Sequence, residues 1–549
     1  MANPPILLMG RDRLTALGLA AVVVLAGGVR MVPRVCGAFH DDAVYVSTAR
    51  ALAAGNGYRL TGVPGAPIQT KYPILYPATL ATICYLWPNF PDNLLAMQIF
   101  TLLCGAGVVA FGYLYLVRFG YCERGAAAAG AVVCATNPFF LYFCVQSMAE
   151  MPYALLAVAA LWALDGQLAS PAASRRAQFG LGVLLALPFL CRTIGAVFIV
   201  AGIVVLWRTR RPVRWCLAGA TATALPWVCW CLQGRGDWDR NPIEGYYTDY
   251  LGCWSSTGVQ MVGRVFCQNA PSIVFGGGDL TCEGLFAAVE SFLTPGLREL
   301  LLMAVSVIPW LMLIPPLRQG RPLPWALAVY LLVLLFWSWP PQRFLVPILP
   351  FLTVYLLMGL AQLPKRLPRG LGRWSVAAAG LGLLVVANLG LLTCYARITS
   401  RSGYPLMKLP NSWAPYESPI SWAPYERTMA WLRQHSGRDD VVASGLDSMV
   451  SLYTDRTAFR PYVYNPGHLY YAEGRPHLMT VEELVAILKH FRPRYLVQMP
   501  MRGFAEEKLF VEVLDKLRRR HPSWLTVVYE DADSRFVIFE LDPDKQPVG

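Results

Sequence analysis

The stretch NLLAMQIFTLLCGAGVVAFGYLYLV, residues 93–117, runs for 25 positions without a charged side chain. An α-helix needs about 20 mostly apolar residues to cross the hydrocarbon core of a bilayer, so this stretch predicts a membrane-spanning helix. Similar apolar runs recur between residues 14 and 396 and then stop. The sequence therefore predicts a polytopic α-helical membrane protein with a separate C-terminal domain.

The composition agrees with a chain that lies mainly in lipid. Of its 549 residues, 55% are hydrophobic and 15% are charged, and the mean hydropathy is +0.42. A chain of several soluble domains would be more polar. The composition therefore places most of this protein in a membrane.

The formal net charge of +13 is compatible with nucleic-acid binding or with membrane orientation. The arginines cluster in short connections between apolar runs, where positive charge sets the orientation of membrane helices, so we favour the second interpretation. The run at residues 14–29 follows Arg11 and Arg13 and lacks a small-residue cleavage site. We interpret it as a retained signal anchor with a cytoplasmic N-terminus.

Placing the basic connections on the inner side gives eleven spans and an outer C-terminal domain. The predicted spans cover residues 14–30, 93–117, 125–145, 151–168, 178–191, 193–207, 215–232, 297–316, 323–340, 344–363 and 374–396. Outer loops are predicted at residues 31–92 and 233–296. Residues 73–88 are apolar but short and contain three prolines, which predicts a re-entrant or interfacial helix.

Three cysteines, Cys253, Cys267 and Cys282, share the second predicted outer loop. Two of them could form a disulfide if that loop faces an oxidising compartment. The other cysteines lie mostly inside apolar runs, which is typical of small core residues.

The chain divides into a membrane module at residues 1–396, a linker at 397–424 and a mixed α/β domain at 425–549. The linker carries the sequence SWAPYE twice, at 412–417 and 421–426, which indicates a local duplication. In the last domain, Thr480 and Glu483 form a capping-box pattern at the start of a helix. Helices are predicted at 425–435, 480–490 and 506–520, and strands at 441–444, 495–498, 525–529 and 536–541.

The sequence FHDDAVY, residues 39–45, directly follows the first predicted span. Its adjacent carboxylates, Asp41 and Asp42, are suited to a general base, a metal ligand or plain surface charge. Lys71, before a proline-rich turn, suits either a phosphate contact or a snorkelling lysine. Glu150, at a predicted outer hairpin tip, is either an exposed loop carboxylate or a second acid.

Two outer arginines, Arg192 and Arg343, each lie between two apolar runs. Arginine keeps its charge, so each needs an anion, and either a substrate lipid phosphate or an ordinary phospholipid headgroup would serve. The predicted topology puts these acids and cations on one membrane face. A base beside positive charge is what a reaction on a lipid phosphate ester requires. The sequence has no P-loop, GxGxxG or HExxH motif, so nucleotide-driven and zinc-peptidase chemistry have no support.

The first outer loop also resembles a known family. Its segments DDAVY (41–45), ARAL (49–52), GNGYR (55–59), TKYP (70–73) and YP (76–77) resemble in order the first periplasmic loop of bacterial GT-C glycosyltransferases. These enzymes are relatives of protein O-mannosyltransferases and of the lipid A aminoarabinose transferase. Weaker similarities follow at EMP (150–152), RTIG (192–195) and RFLVP (343–347), so the resemblance covers most of residues 10–365.

The resemblance implies a GT-C-like enzyme of the bacterial inner membrane that takes a sugar from a polyprenyl-phosphate donor. It implies that Asp41 is the general base of an inverting displacement and that Asp42 is a second acid. It also implies a donor-phosphate contact for Lys71, where Lys-Tyr-Pro stands in place of the family's usual Lys-Pro-Pro. The remaining site residues implied are His40, Tyr45 and Tyr72 in the substrate loop, Arg192 and Arg343 at the phosphate, and Glu150 as a possible acceptor-side acid.

Such enzymes need no nucleotide sugar and no obligatory metal or other cofactor, so the expected partners are membrane lipid, the donor lipid and an acceptor lipid, glycan or protein. Two other functions remain open. A transporter or flippase of a lipid-linked molecule would also use outer cations, although the paired mid-membrane helix breaks of such proteins are not evident here. A non-catalytic membrane protein with a partner-binding C-terminal domain is the third hypothesis.

Overall fold

The structure is a computed structural model that describes residues 5–37, 39–170, 173–234, 242–249, 259–289, 292, 294–362, 373–405, 421–471, 479–501, 505–533 and 535–542. The chain folds into two compact units. One, here the helical unit, comprises Met1–Met31, Gln98–Val228 and Phe266–Arg397. The other, here the mixed unit, comprises Val32–Met97, Cys229–Val265 and Ile398–Gly549. The mixed unit thus groups the first loop with the C-terminal domain, whereas the predicted boundaries grouped that loop with the membrane module.

The helical unit consists of apolar helices. Some of them begin or end in residues that belong to the mixed unit. The helices are Gly10–Gly28, Leu94–Arg118, Arg124–Thr136, Pro138–Cys144, Glu150–Ala169, Arg175–Cys191, Ala196–Arg208, Arg214–Gln233, Val259–Val289, Pro295–Arg318, Pro322–Leu335, Leu349–Leu360 and Arg373–Ser402, with 3₁₀ turns at Thr193–Gly195 and Gln342–Ile348.

Seven helices of the described chain are long and apolar enough to cross a membrane. They are Leu94–Arg118, Glu150–Ala169, Arg214–Gln233, Met261–Val289, Gly296–Arg318, Gln342–Leu360 and Ala378–Ser402. An eighth span results if Arg124–Thr136 and Pro138–Cys144, which meet at a 68° bend, count as one. The protein is a multi-span membrane protein, but the predicted count of eleven spans is not confirmed.

The bend between Thr136 and Pro138 has a local cause. Proline lacks a backbone N–H, and its ring clashes with the preceding helical turn, so a helix readily ends before it. Asn137 starts the next helix, because its side chain accepts a hydrogen bond from the N–H of Phe140 at 2.9 Å. Its amide also donates to the carbonyl of Leu280 at 2.7 Å. The first bond satisfies a backbone N–H that the break exposes, and the second connects the break to the helix Val259–Val289.

The segment predicted as the second outer loop, residues 233–296, is corrected by the structure. It contains the helix Val259–Val289, and Cys282 and Phe286 on that helix lie in the core of the helical unit. Cys267 and Cys282 are on this one helix and are free thiols, so these two do not form the disulfide that the sequence left open. Cys253, the third cysteine, lies outside the described residues.

Other predictions concern one short helix and two segments that the structure does not describe. Residues 73–88 contain the helix Leu75–Leu86, whose 12 residues are too few to cross a bilayer alone. Its interfacial or re-entrant placement stays a prediction. Most of the basic connection between the spans predicted at 344–363 and 374–396 lies outside the described part of the chain, as does the first SWAPYE copy.

The mixed unit holds the first loop and an α/β sandwich. Its helices are Asp41–Ala53, Leu75–Leu86, Pro242–Thr248, Ala423–His435, Asp447–Thr454, Pro466–Tyr471, Val481–Phe491 and Ala505–Arg520. Its strands are β1 (Val441–Ser444), β2 (Thr457–Phe459), β3 (Tyr495–Gln498), β4 (Leu525–Glu530) and β5 (Val537–Leu541).

These strands form one sheet in the order β2-β1-β3-β5-β4. Strand β1 is parallel to β2 and β3, whereas β5 is antiparallel to β3 and β4. The predicted capping box is present, because Thr480 accepts from the N–H of Glu483 and the Glu483 side chain accepts from that of Thr480. The four predicted strands are found within one residue of their expected ends, and the structure adds β2.

Candidate active site

The acidic motif of the first loop lies where the chain turns into the helix Asp41–Ala53. His40 precedes that helix with a positive φ of 63°, a conformation that few non-glycine residues adopt. Such backbone strain is found most often at functional sites, where the surrounding structure holds it in place. The turn puts Asp41 and Asp42 in the first helical turn, where the helix dipole favours negative charge.

The two carboxylates have different surroundings. Asp42 is 1% exposed, and it accepts hydrogen bonds from the backbone N–H groups of Gly37 at 2.7 Å and Phe39 at 3.3 Å. Burial raises the pKa of Asp42 despite these bonds. Asp42 therefore holds the turn together, and this geometry gives no support to its predicted role as a second catalytic acid.

Asp41 is half-buried and contacts the second predicted motif. The hydroxyl of Tyr72 donates to Asp41 Oδ1 at 2.5 Å. Burial and then the charge of Asp41 raise the pKa of Tyr72 well above its usual value, so the phenol keeps its proton and remains a donor. Tyr45 packs edge-on against the Tyr72 ring at 4.9 Å, which fixes the position of that donor.

Lys71 is held by a turn around Gln69. The Gln69 side chain accepts from the N–H of Lys71 at 2.7 Å and from that of Tyr72 at 3.2 Å. The ammonium of Lys71 lies 4.0 Å from the centre of the Tyr246 ring and 5.6 Å from that of Tyr72. The predicted base and the predicted phosphate contact are thus joined through Tyr72.

Tyr246 lies on the short helix Pro242–Thr248 among three cationic groups. Burial alone would raise the pKa of Tyr246, but Lys71, Arg460 and His40 together lower it. Arg460 Nη1 donates to the Tyr246 hydroxyl at 2.9 Å. The His40 ring lies 6.4 Å from the Tyr246 ring, centre to centre.

His40 forms a buried ion pair with the C-terminal domain. Its Nε2 lies 2.8 Å from Oδ1 of Asp447, and Asp447 also accepts a short hydrogen bond from the Tyr247 hydroxyl. Burial would lower the pKa of His40, but Tyr246 and Asp447 raise it to about 9. Burial likewise opposes the charge of Asp447, yet His40 and Tyr247 hold the pKa of Asp447 below its usual value.

The remaining predicted residues meet in the helical unit. Glu150, fully buried at the start of the helix Glu150–Ala169, forms ion pairs with Arg192 at 2.5 Å and with Arg343 at 2.7 Å. The guanidinium of Arg192 also lies over the Phe344 ring at 5.4 Å. The predicted site residues therefore form two groups, one in each unit.

Sequence reasoning missed Tyr246, Asp447 and Arg460. One signal was available for Asp447, because it closely follows the predicted strand 441–444, whereas Arg460 follows β2, which the sequence did not predict. Functional side chains often lie beyond the carboxyl ends of parallel strands. Among the described residues there is no group of three or more histidine, cysteine or carboxylate side chains arranged to hold a metal ion.

Comparisons with known proteins give similarity at the level of structure. No protein-family model and no curated protein matches the sequence. The structure is similar to ArnT from Cupriavidus metallidurans bound to undecaprenyl phosphate, with TM-score 0.51, 15% identity, and coverage of 96% of this chain and 97% of that one. It is also similar to the oligosaccharyltransferase AglB of Archaeoglobus fulgidus in complex with an inhibitory peptide and a dolichol-phosphate, with TM-score 0.52, 12% identity, and coverage of 98% and 75%.

An Archaeoglobus fulgidus oligosaccharyltransferase tethered to an acceptor peptide containing the NVT sequon gives TM-score 0.54, with 12% identity and coverage of 97% and 74%. At such low identities the similarity establishes the fold. It extends over nearly the whole chain, including both units.

Proposed function

Because this chain has the GT-C fold of membrane glycosyltransferases, we propose that it transfers a sugar from a polyprenyl-phosphate-linked donor to an acceptor hydroxyl on the periplasmic face. The observation that carries the proposal is the pairing of an acid with a cation in the first loop. Asp41 accepts a hydrogen bond from Tyr72, and Lys71 lies over the same ring. The solved structures with undecaprenyl phosphate and dolichol-phosphate support a lipid-phosphate ligand.

In the proposed reaction, Asp41 accepts the proton of the acceptor hydroxyl as its oxygen attacks the anomeric carbon. The bond between that carbon and the phosphate oxygen breaks, and the phosphate leaves with the electron pair. Attack opposite the leaving group inverts the configuration of the sugar. Lys71 stabilises the negative charge that develops on the phosphate. The reaction needs no nucleotide and no metal ion.

Tyr72 supports this assignment of roles. Its high pKa keeps its hydroxyl protonated, so it orients the Asp41 carboxylate by donating to one oxygen. An oriented carboxylate can receive a proton with little rearrangement, which favours catalysis. Tyr45, by packing on Tyr72, has a positioning role in the substrate loop.

For Arg192 and Arg343, which lie in the helical unit, we propose contact with a lipid phosphate. Glu150 pairs with both, and a carboxylate stabilised by two arginines is a weak proton acceptor. We therefore assign the base role to Asp41 and a charge-balancing role to Glu150.

Transfer from labelled polyprenyl-phosphate sugars tests this function in membranes that carry the full-length protein. We expect Asp41→Asn to lower transfer by about 100-fold or more, since the amide cannot accept the proton. The control is Asp439→Asn, which changes an exposed carboxylate in the same unit and should leave the rate unchanged. Equal transfer by Asp41→Asn and wild type would exclude Asp41 as the base. Donor movement across the membrane without transfer would favour the transporter hypothesis.

A further inference from the structure

Arg460 of the C-terminal domain is a buried cation with an incomplete set of partners. Only 4% of the residue is exposed. Its Nη1 donates to the Tyr246 hydroxyl at 2.9 Å, and its backbone N–H donates to the Tyr247 hydroxyl at 3.0 Å. Its Nε has no hydrogen-bond partner among the residues that the structure describes.

Among the residues that the structure describes, the edge formed by Nε and Nη2 is the least satisfied side of this guanidinium. Nη2 donates to the sulfur of Met501, a weak acceptor, at 3.9 Å. The Cζ of Arg460 lies over the Tyr462 ring, 4.9 Å from the ring centre. The Nε–Nη2 edge presents two parallel donors, the arrangement that binds carboxylate or phosphate oxygens in pairs.

No carboxylate within the described residues forms an ion pair with Arg460. Asp447 and Glu506 act on it at longer range and, with Tyr246, favour its charged form. A buried charge without a close counter-charge is costly, so such groups usually face an anion. Arg460 therefore has the features of an anion-binding group.

A second cation lies against the same tyrosine. The Lys71 ammonium is 4.0 Å from the centre of the Tyr246 ring, and it forms no ion pair or hydrogen bond with other described residues. Lys71 and Arg460 thus approach Tyr246 from the first loop and from the C-terminal domain, respectively. Both cations belong to the mixed unit.

The ends of the parallel strands explain why the C-terminal domain reaches this position. Strands β1 and β2 run parallel, with Ala443 opposite Phe459, so the residues after them emerge at the same edge of the sheet. Asp447 follows β1 and binds His40, whereas Arg460 follows β2 and binds Tyr246. The domain therefore contacts the first loop after β1, through Asp447, and the helix Pro242–Thr248 after β2, through Arg460.

We propose that Arg460 binds the phosphate of the lipid-linked donor together with Lys71, so that the C-terminal domain supplies part of the active site. This inference rests on the proposed function and extends it. The Nε–Nη2 edge holds two phosphate oxygens, and the Lys71 ammonium neutralises the remaining charge. Tyr246 separates the two cations and orients the guanidinium.

Equilibrium binding of undecaprenyl phosphate to the full-length protein in nanodiscs tests the inference, with neutral undecaprenol as the reference lipid. We expect Arg460→Met to raise the Kd for undecaprenyl phosphate by about tenfold or more, because hydrogen bonds to charged groups are lost. Its Kd for undecaprenol should not change. Arg438→Met, at an exposed arginine of the same domain, is the matched control and should bind as wild type does.

A role limited to positioning Tyr246 gives a different pattern. Tyr246→Phe removes the hydroxyl that Arg460 binds but keeps both cations, so under our proposal its Kd rises by less than about threefold. If Tyr246→Phe weakens binding as much as Arg460→Met does, Arg460 only positions Tyr246 and the proposal is wrong. If an equal concentration of inorganic phosphate releases the lipid, the Nε–Nη2 edge of Arg460 binds a free anion. That result would also overturn the proposal.

Two further outcomes separate this inference from the proposed function. If wild type binds undecaprenyl phosphate no better than undecaprenol, the proposed function fails. If wild type prefers the phosphate and Arg460→Met retains that preference, the function stands and the inference fails. Should the Met variant not fold, Arg460→Lys keeps the charge without the two-donor edge, and unchanged affinity in that variant would contradict the proposal.

Discussion

His40 and Asp447 pair across a sequence separation of 407 residues. Their side chains are 5% and 0% exposed, so neither charge is stabilised by water. In such surroundings each charge depends on the other, and removing one leaves the second uncompensated. This pair therefore links the stability of the mixed unit to pH.

The pKa of His40 is about 9, above the value near 6.5 expected in the unfolded chain. The charged histidine thus contributes stability in full below about pH 6.5, and this contribution is lost as the pH rises through about 9. We predict that His40→Gln lowers the free energy of unfolding by about 3 kcal/mol at about pH 6 and by much less at about pH 10. Apparent unfolding temperatures of the purified protein across this range measure the difference.

The control is His435→Gln, which alters an exposed histidine on the helix Ala423–His435. Its effect on the unfolding temperature should be small at every pH. A His40→Gln difference that stays constant from about pH 6 to about pH 10 would show that the histidine is not charged in the folded protein.

The candidate site was only partly predictable from single residues. Asp41, Lys71 and Tyr72 lie within one loop, so their order along the chain was enough to group them. Asp447 and Arg460 join that group only through tertiary folding, and no local spacing connects them to Asp41. Asp42 shows that closeness in sequence can also mislead. It is adjacent to the candidate base, but its carboxylate accepts hydrogen bonds from the backbone of its own turn.

At the scale of elements, the start of the helix Glu150–Ala169 concentrates buried charge. Glu150 forms the ion pairs with Arg192 and Arg343 there. We predict that Glu150→Gln lowers the free energy of unfolding by about 3–5 kcal/mol, because both arginines lose a buried counter-charge while the side-chain shape is kept. Thermal unfolding of the detergent-solubilised protein tests this.

Glu299→Gln is the matched control, since Glu299 is an exposed glutamate on another helix of the same unit. Its unfolding temperature should match that of wild type. If the two variants unfold at the same temperature, the ion pairs around Glu150 contribute little to folding.

The helix Val259–Val289 was not predicted from the sequence, and its composition explains why. It contains Pro271, consecutive glycines at 276–278 and several polar side chains, and its best window has a mean hydropathy of only 1.2. In the structure these polar groups bond within the protein. Asn269 donates to the carbonyls of Leu334 and Trp337, both at 2.9 Å. Hydropathy counts the polar atoms of a segment but contains no information on their hydrogen-bond partners. A helix with satisfied polar groups therefore resembles a polar loop in the sequence.

Over the whole molecule, this helix changes how the membrane crossings are counted. Each crossing reverses the side of everything that follows, so an added span would move the C-terminal domain unless another segment does not cross. The helix Pro322–Leu335 has 14 residues, about 21 Å of rise, which is short of a bilayer core of about 30 Å. The helix Ala196–Arg208 is also short, but the 3₁₀ turn Thr193–Gly195 directly precedes it and lengthens that segment. We propose that Pro322–Leu335 is the segment that does not cross by itself.

On this basis we predict that the C-terminus lies outside the cytoplasm. Alkaline phosphatase fused after Gly549 should be active, because that enzyme requires an oxidising compartment. A green fluorescent protein fused at the same position and exported in the same way should not fluoresce. Fusions at residues 210–211, in a basic connection, serve as the cytoplasmic control and should give the reverse pattern. If the phosphatase fusion at Gly549 is inactive and the fluorescent-protein fusion there fluoresces, the C-terminal domain lies in the cytoplasm.

The contacts between the first loop and the C-terminal domain also set the order in which the protein can mature. Residues 36–62 leave the ribosome early, whereas Tyr453, Asp447 and Ala458, which bind Cys36, His40 and Gly62, are made after all the membrane helices. Pairings so distant in sequence form late and slowly. The first loop therefore remains without these partners through most of synthesis, and a chain that terminates before Asp447 cannot form any of the three contacts.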